Sequence, residues 1–341
     1  MMQAICCSQA QQIELIERPI PEPKPGEALL RIKRIGVCGS DLHAYLGQQN
    51  FFSYPRIFGH ELAAEIVSLN GNTENELRIG DRVIIIPYIA CGSCIACRQG
   101  KPNCCAHINV IGVHSDGGMC EYLTVPSQQL LRCNSLTWEQ MAVVECLSIG
   151  AHGVSRAKPA ANSNVIVLGT SAIGIGTIQF AQASGANVIA IDLDAQRLDF
   201  CAKHLKVSAT IHAHDNVQEK IYELTAGDMA TTVFDATGNI DSMRQAFHYV
   251  AHGGQLIFIG HIKDDIVFND ADFHQREMTV MASRNATRAD FEHVVQMLEE
   301  KKINVDCMIN DQVSLKAAAE RFPYWLDRKN HIIKAIINME A

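Results

Sequence analysis

The stretch "NVIVLGTSAIGIGTIQFAQ", Asn164 to Gln182, decides the fold. It opens as a short apolar run rich in Val and Ile and turns through Gly169 and Gly174. It then continues with apolar residues as the helical segment "AIGIGTIQFAQAS". Strand, Gly-rich turn and helix in that order form the first unit of a parallel sheet. The alternation repeats downstream. "NVIAID" reads as a strand, "AQRLDFCAKHL" as a helix and "TTVFDATG" as a strand with its turn, followed by the helix "IDSMRQAFHYV" and the strand "GQLIFIG". An α/β fold built on a doubly wound parallel sheet is the expectation.

The turn itself is "GTSAIG", Gly169 to Gly174. A Rossmann dinucleotide site calls for Gly-x-Gly-x-x-Gly at this place, for a tight turn, close backbone approach to a pyrophosphate, and close helix packing. Here Ser171 occupies the middle position. Either its Cβ crowds the phosphate or its hydroxyl donates to it, and the sequence leaves both open. Asp192 closes "NVIAID" eighteen residues beyond Gly174. A carboxylate there accepts hydrogen bonds from the adenosine ribose diol and repels a 2′-phosphate, so NAD is expected over NADP.

Outward from this core, the 341 residues are long for one hydrophobic core and predict two domains. The part before about residue 145 reads as short strands and turns, with Pro19, Pro21, Pro23 and Pro25 marking an extended lead-in. An apolar fraction of 48% and a charged fraction of 19% belong to an ordinary globular protein. A net charge of −8 argues against nucleic-acid or anionic-membrane partners. The local run "RIKR", Arg31 to Arg34, alternates like a strand. The N-terminus carries no basic, apolar leader pattern, and the longest apolar stretch is interrupted by Gly, Thr, Ser and Gln. A cytoplasmic location is expected, where thirteen cysteines act as thiols and metal ligands rather than disulfides.

Five of those cysteines crowd into "CGSCIACRQGKPNCC", Cys91 to Cys105. Cys91, Cys94 and Cys97, with Cys105 or Cys104, supply four thiolates. Four thiolates close a tetrahedral zinc shell and leave no position for substrate, which is a structural site. "CGS" recurs alone at Cys38-Gly39-Ser40, far from any second cysteine.

The chain resembles the zinc-containing medium-chain alcohol and polyol dehydrogenases over essentially its whole length. The carriers are "GVCGSDLHAY", "GHE" at Gly59 to Glu61, "GDRV" at Gly80 to Val83, the cysteine run, "DGGMCEYLTVP", "VECLSIGAHG", the strand-turn-helix above and "DATG" at Asp235 to Gly238. The resemblance implies a mostly β GroES-like catalytic domain over 1–147, an NAD-binding Rossmann domain over 148–284, and a return to the catalytic domain over 285–341. It also selects Cys105 over Cys104. It implies two zinc ions: a structural one on Cys91, Cys94, Cys97 and Cys105, and a catalytic one drawing on Cys38, His60, Glu61 and Glu145. Which of the two glutamates touches the metal varies within the family. Thiolate, imidazole and carboxylate around one open position make a Lewis-acid site. Ser40 and His43 match proton-relay positions. Gly169, Ser171, Ile173, Gly174, Asp192, Arg197, Ile259 and Arg284 form the expected cofactor-binding set.

Reversible oxidation of a secondary alcohol by NAD is the activity implied. Glu145, where the simple-alcohol branch has cysteine, points to polyols and sugar acids. Arg284 of "SRNAT" falls where that branch places an arginine and can hold a carboxylate or hydroxyls. Tyr45, Phe51, Phe52 and His114 are further candidates for substrate contact. "NFFSYPR", "VIGVHSDGG" and "SRNAT" together resemble the L-galactonate 5-dehydrogenase-like branch acting on hexonates. Sorbitol-type and L-threonine-type dehydrogenases are the alternatives within enzymes, and a non-catalytic dinucleotide-binding scaffold the alternative outside them. Family members are homodimers or homotetramers. Ala64 and Asn70 stand where the family has glycines, with Asn70 expected to take over the left-handed backbone of the turn.

Overall fold

The computed structural model describes residues 1–49, 52–71 and 77–340, so Phe51 lies outside the described residues. The chain divides into two compact units, Met1–Glu145 with Thr287–Ala341, and Cys146–Ala286.

In the second unit six strands pair in parallel. Across the sheet they run Ala209–His212, Asn187–Asp192, Asn164–Leu168, Ala230–Asp235, Val250–Phe258 and Thr279–Ala282. In chain order that is 3-2-1-4-5-6, the doubly wound arrangement. After Asn164 the central strand is apolar because both its faces are covered: Val165, Ile166 and Val167 are fully buried. The order reverses between Asn164–Leu168 and Ala230–Asp235, and ligands of such sheets bind outside the carboxyl ends of the strands at that point. Gly169 leaves the strand at φ +85°, a left-handed backbone that favours glycine. At Gly174, in the first turn of helix Ala172–Ala183, a Cβ would stand 1.9 Å from the Gly169 carbonyl oxygen. Nothing larger than glycine fits there.

Two helices of this unit change pitch. "AQRLDFCAKHL" is α-helical over Ala195–Phe200 and widens into a π turn over Cys201–Leu205. "IDSMRQAFHYV" is α-helical over Ile240–Gln245 and tightens to a 3-10 turn over Ala246–Tyr249. Asp194 and Asn239 cap their first turns through side-chain oxygens that accept from backbone N–H groups.

The first unit is largely antiparallel. Its seven-stranded sheet runs Leu130–Arg132, Arg82–Ile85, Glu61–Leu69, Glu27–Gly36, Lys334–Asn338 and Ile309–Ser314, and Tyr122–Pro126 also pairs with Glu27–Gly36. The run "RIKR" sits inside that last strand, as its alternation predicts. Two of its charges are paired locally: Lys33 with Glu65 and Glu340, and Arg34 with Glu139 and Glu340, while Arg31 donates to the Tyr122 hydroxyl and lies over its ring. One continuous core joins this sheet to the small sheet of Met2–Gln9, Gln12–Arg18 and Arg56–Ile57, and to helix Leu315–Leu326.

The turn after Glu61–Leu69 is built differently from expectation. Asn70 does not take a positive φ and donates through Nδ2 to the Pro23 carbonyl at 2.7 Å, while Gly71 takes the positive φ of +98°. The left-handed residue is shifted by one, so Asn70 itself does not have to take that conformation. Ala64 is fully buried within the strand, paired with Ile32 on one side and Val83 on the other. Among the described residues no helix is long and apolar enough to cross a membrane.

Candidate active site and metal centres

The cysteine run folds into a small lobe: helix Ile95–Arg98, a 3-10 turn over Pro102–Cys104, and little else. The ligand atoms of Cys91, Cys94, Cys97 and Cys105 all lie within 4.8 Å of one another. A tetrahedral zinc with sulfur at about 2.3 Å sets its sulfurs about 3.8 Å apart. The Cys94–Cys97 and Cys94–Cys105 sulfurs stand at 3.5 and 3.9 Å. Backbone N–H groups are aimed at them: Cys91 and His107 donate to the Cys105 sulfur, and Ala106 to that of Cys94. N–H groups of Ser93 and Cys94 hold the Cys91 thiol down at about 5, whereas Cys97 is pushed up to about 12, by burial first and then by Cys94 and Cys105. Four thiols this close cannot all ionise without a cation among them. The donor set therefore fits zinc. Cys105 is buried in the cluster, while Cys104, next to it, is exposed and outside it.

The second group is assembled from distant segments. Cys38 stands at the N-cap of helix Gly39–Tyr45, His60 ends the loop after Arg56–Ile57, and Glu61 begins the next strand. Their ligand atoms lie within 4.8 Å of one another, with His60 and Glu61 buried. Ser40 Oγ approaches His60 Nε2 at 3.5 Å. His60 Nδ1 is buried without a hydrogen-bond partner, 3.7 Å from Asp41 Oδ1. Asp41, itself buried, accepts from the Cys38 backbone N–H at 3.0 Å and so ties the thiol to the imidazole. Burial opposes a charge on His60, but Asp41, Cys38 and Glu145 outweigh it and raise its pKa well above the usual value. Anions that can hold a proton on a buried imidazole are anions that a metal ion would satisfy in its place. This donor set fits a metal as well.

Each glutamate has its own buried partner. Glu61 takes both of its hydrogen bonds from Lys334 Nζ, at 2.8 and 2.7 Å, and the same ammonium donates to the Val37 carbonyl. Glu145 opens helix Val144–Ala157 and accepts the Tyr88 hydroxyl through Oε1. Burial raises the Glu145 pKa, with Glu61 adding to the rise and His60, Tyr88 and Lys334 opposing it. Glu145 is outside the trio of mutually close ligand atoms.

In the second unit, Asp192 is fastened at the carboxyl end of its strand. Its Oδ2 accepts from Thr170 N and Oγ1 at 2.6 and 2.7 Å, and its Oδ1 from Asp194 N at 2.9 Å. Ser171 is the N-cap of helix Ala172–Ala183 but makes no side-chain capping bond, which leaves its hydroxyl for a ligand. Across the switch point Asp235 accepts from Thr237 N and Oγ1 and from Ser242 Oγ, a turn that backs Gly169.

This closed four-sulfur lobe, the separate Cys-His-Glu trio and a parallel sheet with a fastened acid after its second strand point one way, and two family models agree. Residues 24–135 match the alcohol dehydrogenase GroES-like domain, and residues 172–300 match the zinc-binding dehydrogenase domain. The chain belongs to the zinc-binding alcohol dehydrogenase family. It is 38% identical to L-galactonate-5-dehydrogenase of Escherichia coli over 336 residues, 98% of each chain. Sorbitol dehydrogenase of Bacillus subtilis is 26% identical, covering 98% of this chain and 97% of its own. The crystal structure of the alcohol dehydrogenase RspB of E. coli with NADH superposes at a TM-score of 0.93, with 27% identity and 99% of both chains covered.

The chain is thus an oxidoreductase, a zinc- and nicotinamide-dinucleotide-dependent dehydrogenase of this family. Within it, several expected residues are brought together and others are not. Cys38, Ser40, His60 and Glu61 converge, with Glu145 beside them. His43 lies exposed in the last turn of the Cys38 helix. Tyr45 and Phe52, expected at the substrate, are half-buried and pack against an aromatic cluster: Tyr45 on Phe322 at 5.3 Å, and Phe52 on Tyr54 and Phe58 at 5.0 and 5.1 Å. His114 accepts through Nδ1 from the Val110 N–H of its own turn. Arg284 is exposed in the second unit just past strand Thr279–Ala282, Arg197 lies 3.8 Å from Asp194, and Ile173 and Ile259 are half-buried.

Sequence reasoning missed Lys334, Tyr88, Asp41 and Thr170. A signal existed for two of them. Lys334 precedes the apolar run "AII" of its strand, and Tyr88 follows the apolar "VIIIP"; a buried ammonium or phenol needs a partner.

Proposed function

We propose that this dehydrogenase oxidises a secondary alcohol of a hexonate, L-galactonate at C5 being the leading candidate, with NAD as hydride acceptor. The observation that carries the substrate is the end-to-end 38% identity to L-galactonate-5-dehydrogenase, joined to a buried carboxylate, Glu145, beside the Cys38–His60–Glu61 group. Arg284 is our candidate for the substrate carboxylate. The fastened Asp192 carries the preference for NAD: its charge would oppose a 2′-phosphate, and its remaining lone pairs suit a ribose diol.

Cys38, His60 and a glutamate would hold a zinc ion, which would supply a Lewis acid to lower the pKa of an alcohol oxygen, and a bound nicotinamide would supply the hydride acceptor. The chain's own residues do the rest. Asp41 fixes the helix that presents Cys38 and faces His60. Ser40 would accept the alcohol's proton while passing its own hydroxyl proton on toward His43, three residues on along the same helix, which would release it to solvent. Burial of His60, Glu61 and Glu145 keeps bulk water from the reacting oxygen. Ser171, free of capping duty, donates to the cofactor phosphate. Cys91, Cys94, Cys97 and Cys105 would hold a second zinc, which would pin the cysteine lobe.

The test is a panel of hexonates, polyols and L-threonine with NAD and NADP on the zinc-replete protein, read by reduced-nicotinamide absorbance. Highest kcat/KM on a hexonate with NAD is expected. Turnover confined to L-threonine or to uncharged polyols overturns the substrate assignment.

A further inference from the structure

In the second unit, the glycine-rich turn and the acid after the next strand are fastened to each other through one side chain. Thr170, between Gly169 and the helix-capping Ser171, is fully buried. Its backbone N–H and its hydroxyl both donate to Asp192 Oδ2, while the Asp194 N–H donates to Oδ1. Held at both oxygens, the carboxylate has one orientation. Turning it aside would break three charge-assisted hydrogen bonds and deprive the buried Thr170 hydroxyl of this acceptor. Thr170 has little freedom to follow, because a β-branched side chain is stiff at χ1. Basic groups nearby are committed as well. Arg197 lies 3.8 Å from Asp194. His212, the register partner of Asp192 on strand Ala209–His212, has Nε2 2.9 Å from the Leu193 carbonyl and accepts the His214 N–H at Nδ1. That tautomer has no ring N–H left to meet a phosphate.

We propose that Thr170 sets the choice between NAD and NADP by clamping Asp192: its hydroxyl holds the carboxylate at the end of its strand, available to a ribose diol, and keeps it from turning aside for a 2′-phosphate. Thr170 is a positioning residue, acting through Asp192. An acid that can swing away excludes a 2′-phosphate weakly, whereas an acid that must first give up a buried hydrogen bond excludes it strongly. The proposal rests on the reading that Asp192 meets the adenosine ribose of the cofactor.

The experiment measures binding rather than turnover. NADH and NADPH are titrated by fluorescence into the full-length, zinc-replete protein without substrate, and the quantity read is the Kd for NADPH divided by that for NADH. Asp192→Ala is the reference and should lower this ratio by roughly 30-fold. Thr170→Val keeps the side chain's shape and removes only the hydroxyl; it should lower the ratio by about 3–10-fold, part of what one hydrogen bond to a charged group contributes. Thr170→Ala, a second variant without the hydroxyl, should do the same should the valine fail to fold. Thr170→Ser restores the donor and should stay within about 2-fold of the parent. Because Thr170 acts through Asp192, adding Thr170→Val to Asp192→Ala should move the ratio by less than about 2-fold more. A role in stability alone would weaken both cofactors together and leave the ratio in place, and that result in both hydroxyl-less variants, with Asp192→Ala still shifting it, overturns this inference only. An unchanged ratio in Asp192→Ala overturns the ribose reading itself, and the inference with it.

Discussion

The two cysteine-bearing regions of this molecule are opposites. The lobe at Cys91–Cys105 gathers four sulfurs from fifteen consecutive residues, sits at the surface, and builds its own N–H cradle. The group at Cys38 draws His60, Glu61 and Glu145 from separate elements and sets them in the interior. Its supports come from further still, Lys334 standing 273 residues from Glu61 and Tyr88 57 from Glu145. A closed shell of four thiolates has no vacancy for a substrate, whereas a mixed donor set with fewer ligands keeps one. Under the proposed function, local density of ligands would mark the site that stabilises and long-range convergence the site that reacts.

The largest effect that would break this comparison comes from Cys38→Ser. Turnover should vanish and the zinc count should fall from two to one, while NADH binding, followed by fluorescence titration, stays intact. Full activity in that variant would move the chemistry elsewhere. Next in size is Cys105→Ser, which opens the four-sulfur shell. It should also lose one zinc, but its signature is a lowered Tm, with NADH affinity kept; a variant that melts like the parent would deny the lobe its structural role. Asp192→Ala leaves both metal regions alone and should retain two zincs. Removing its charge should shift the NAD-over-NADP ratio of kcat/KM by about 2 kcal/mol, roughly 30-fold, toward NADP. An unchanged ratio would mean that another group sets cofactor choice. The smallest expected effect is that of Cys104→Ser. Exposed and outside the cluster, Cys104 should change Tm and zinc content hardly at all, by less than about 0.5 kcal/mol in stability. Pairing it with Cys105→Ser sharpens the contrast between two adjacent cysteines of opposite consequence.

The aromatic residues show how far local reading reaches. Tyr45 and Phe52 lie in a segment whose composition suits a pocket wall or a core equally. Their partners, Phe322 and Phe58, tie one side of each to the core, and Phe322 belongs to a helix near the other end of the chain. Asn70 makes the same point on a smaller scale. The turn needs one residue with positive φ, and both Asn70 and Gly71 qualify by type; the hydrogen bond from Asn70 to Pro23 places it on Gly71. Arg284 remains legible only as an exposed arginine after an edge strand.

By itself the sequence determined what short-range physics controls. The strand "NVIVL" is apolar after Asn164 because both its faces are covered, Gly174 is glycine because a Cβ would meet Gly169, and the x2, x2, x7 cysteine spacing is that of a closed shell. Each of these is settled within about twenty residues, where chain geometry leaves few alternatives. The tertiary structure alone decided which partner each buried charge receives. A carboxylate's chemistry depends on whether an ammonium or a phenol faces it, because in a low-dielectric interior that neighbour sets whether its charge is spent or available. Glu61 and Glu145 look alike in sequence; Lys334 and Tyr88, brought in from distant strands, make them different.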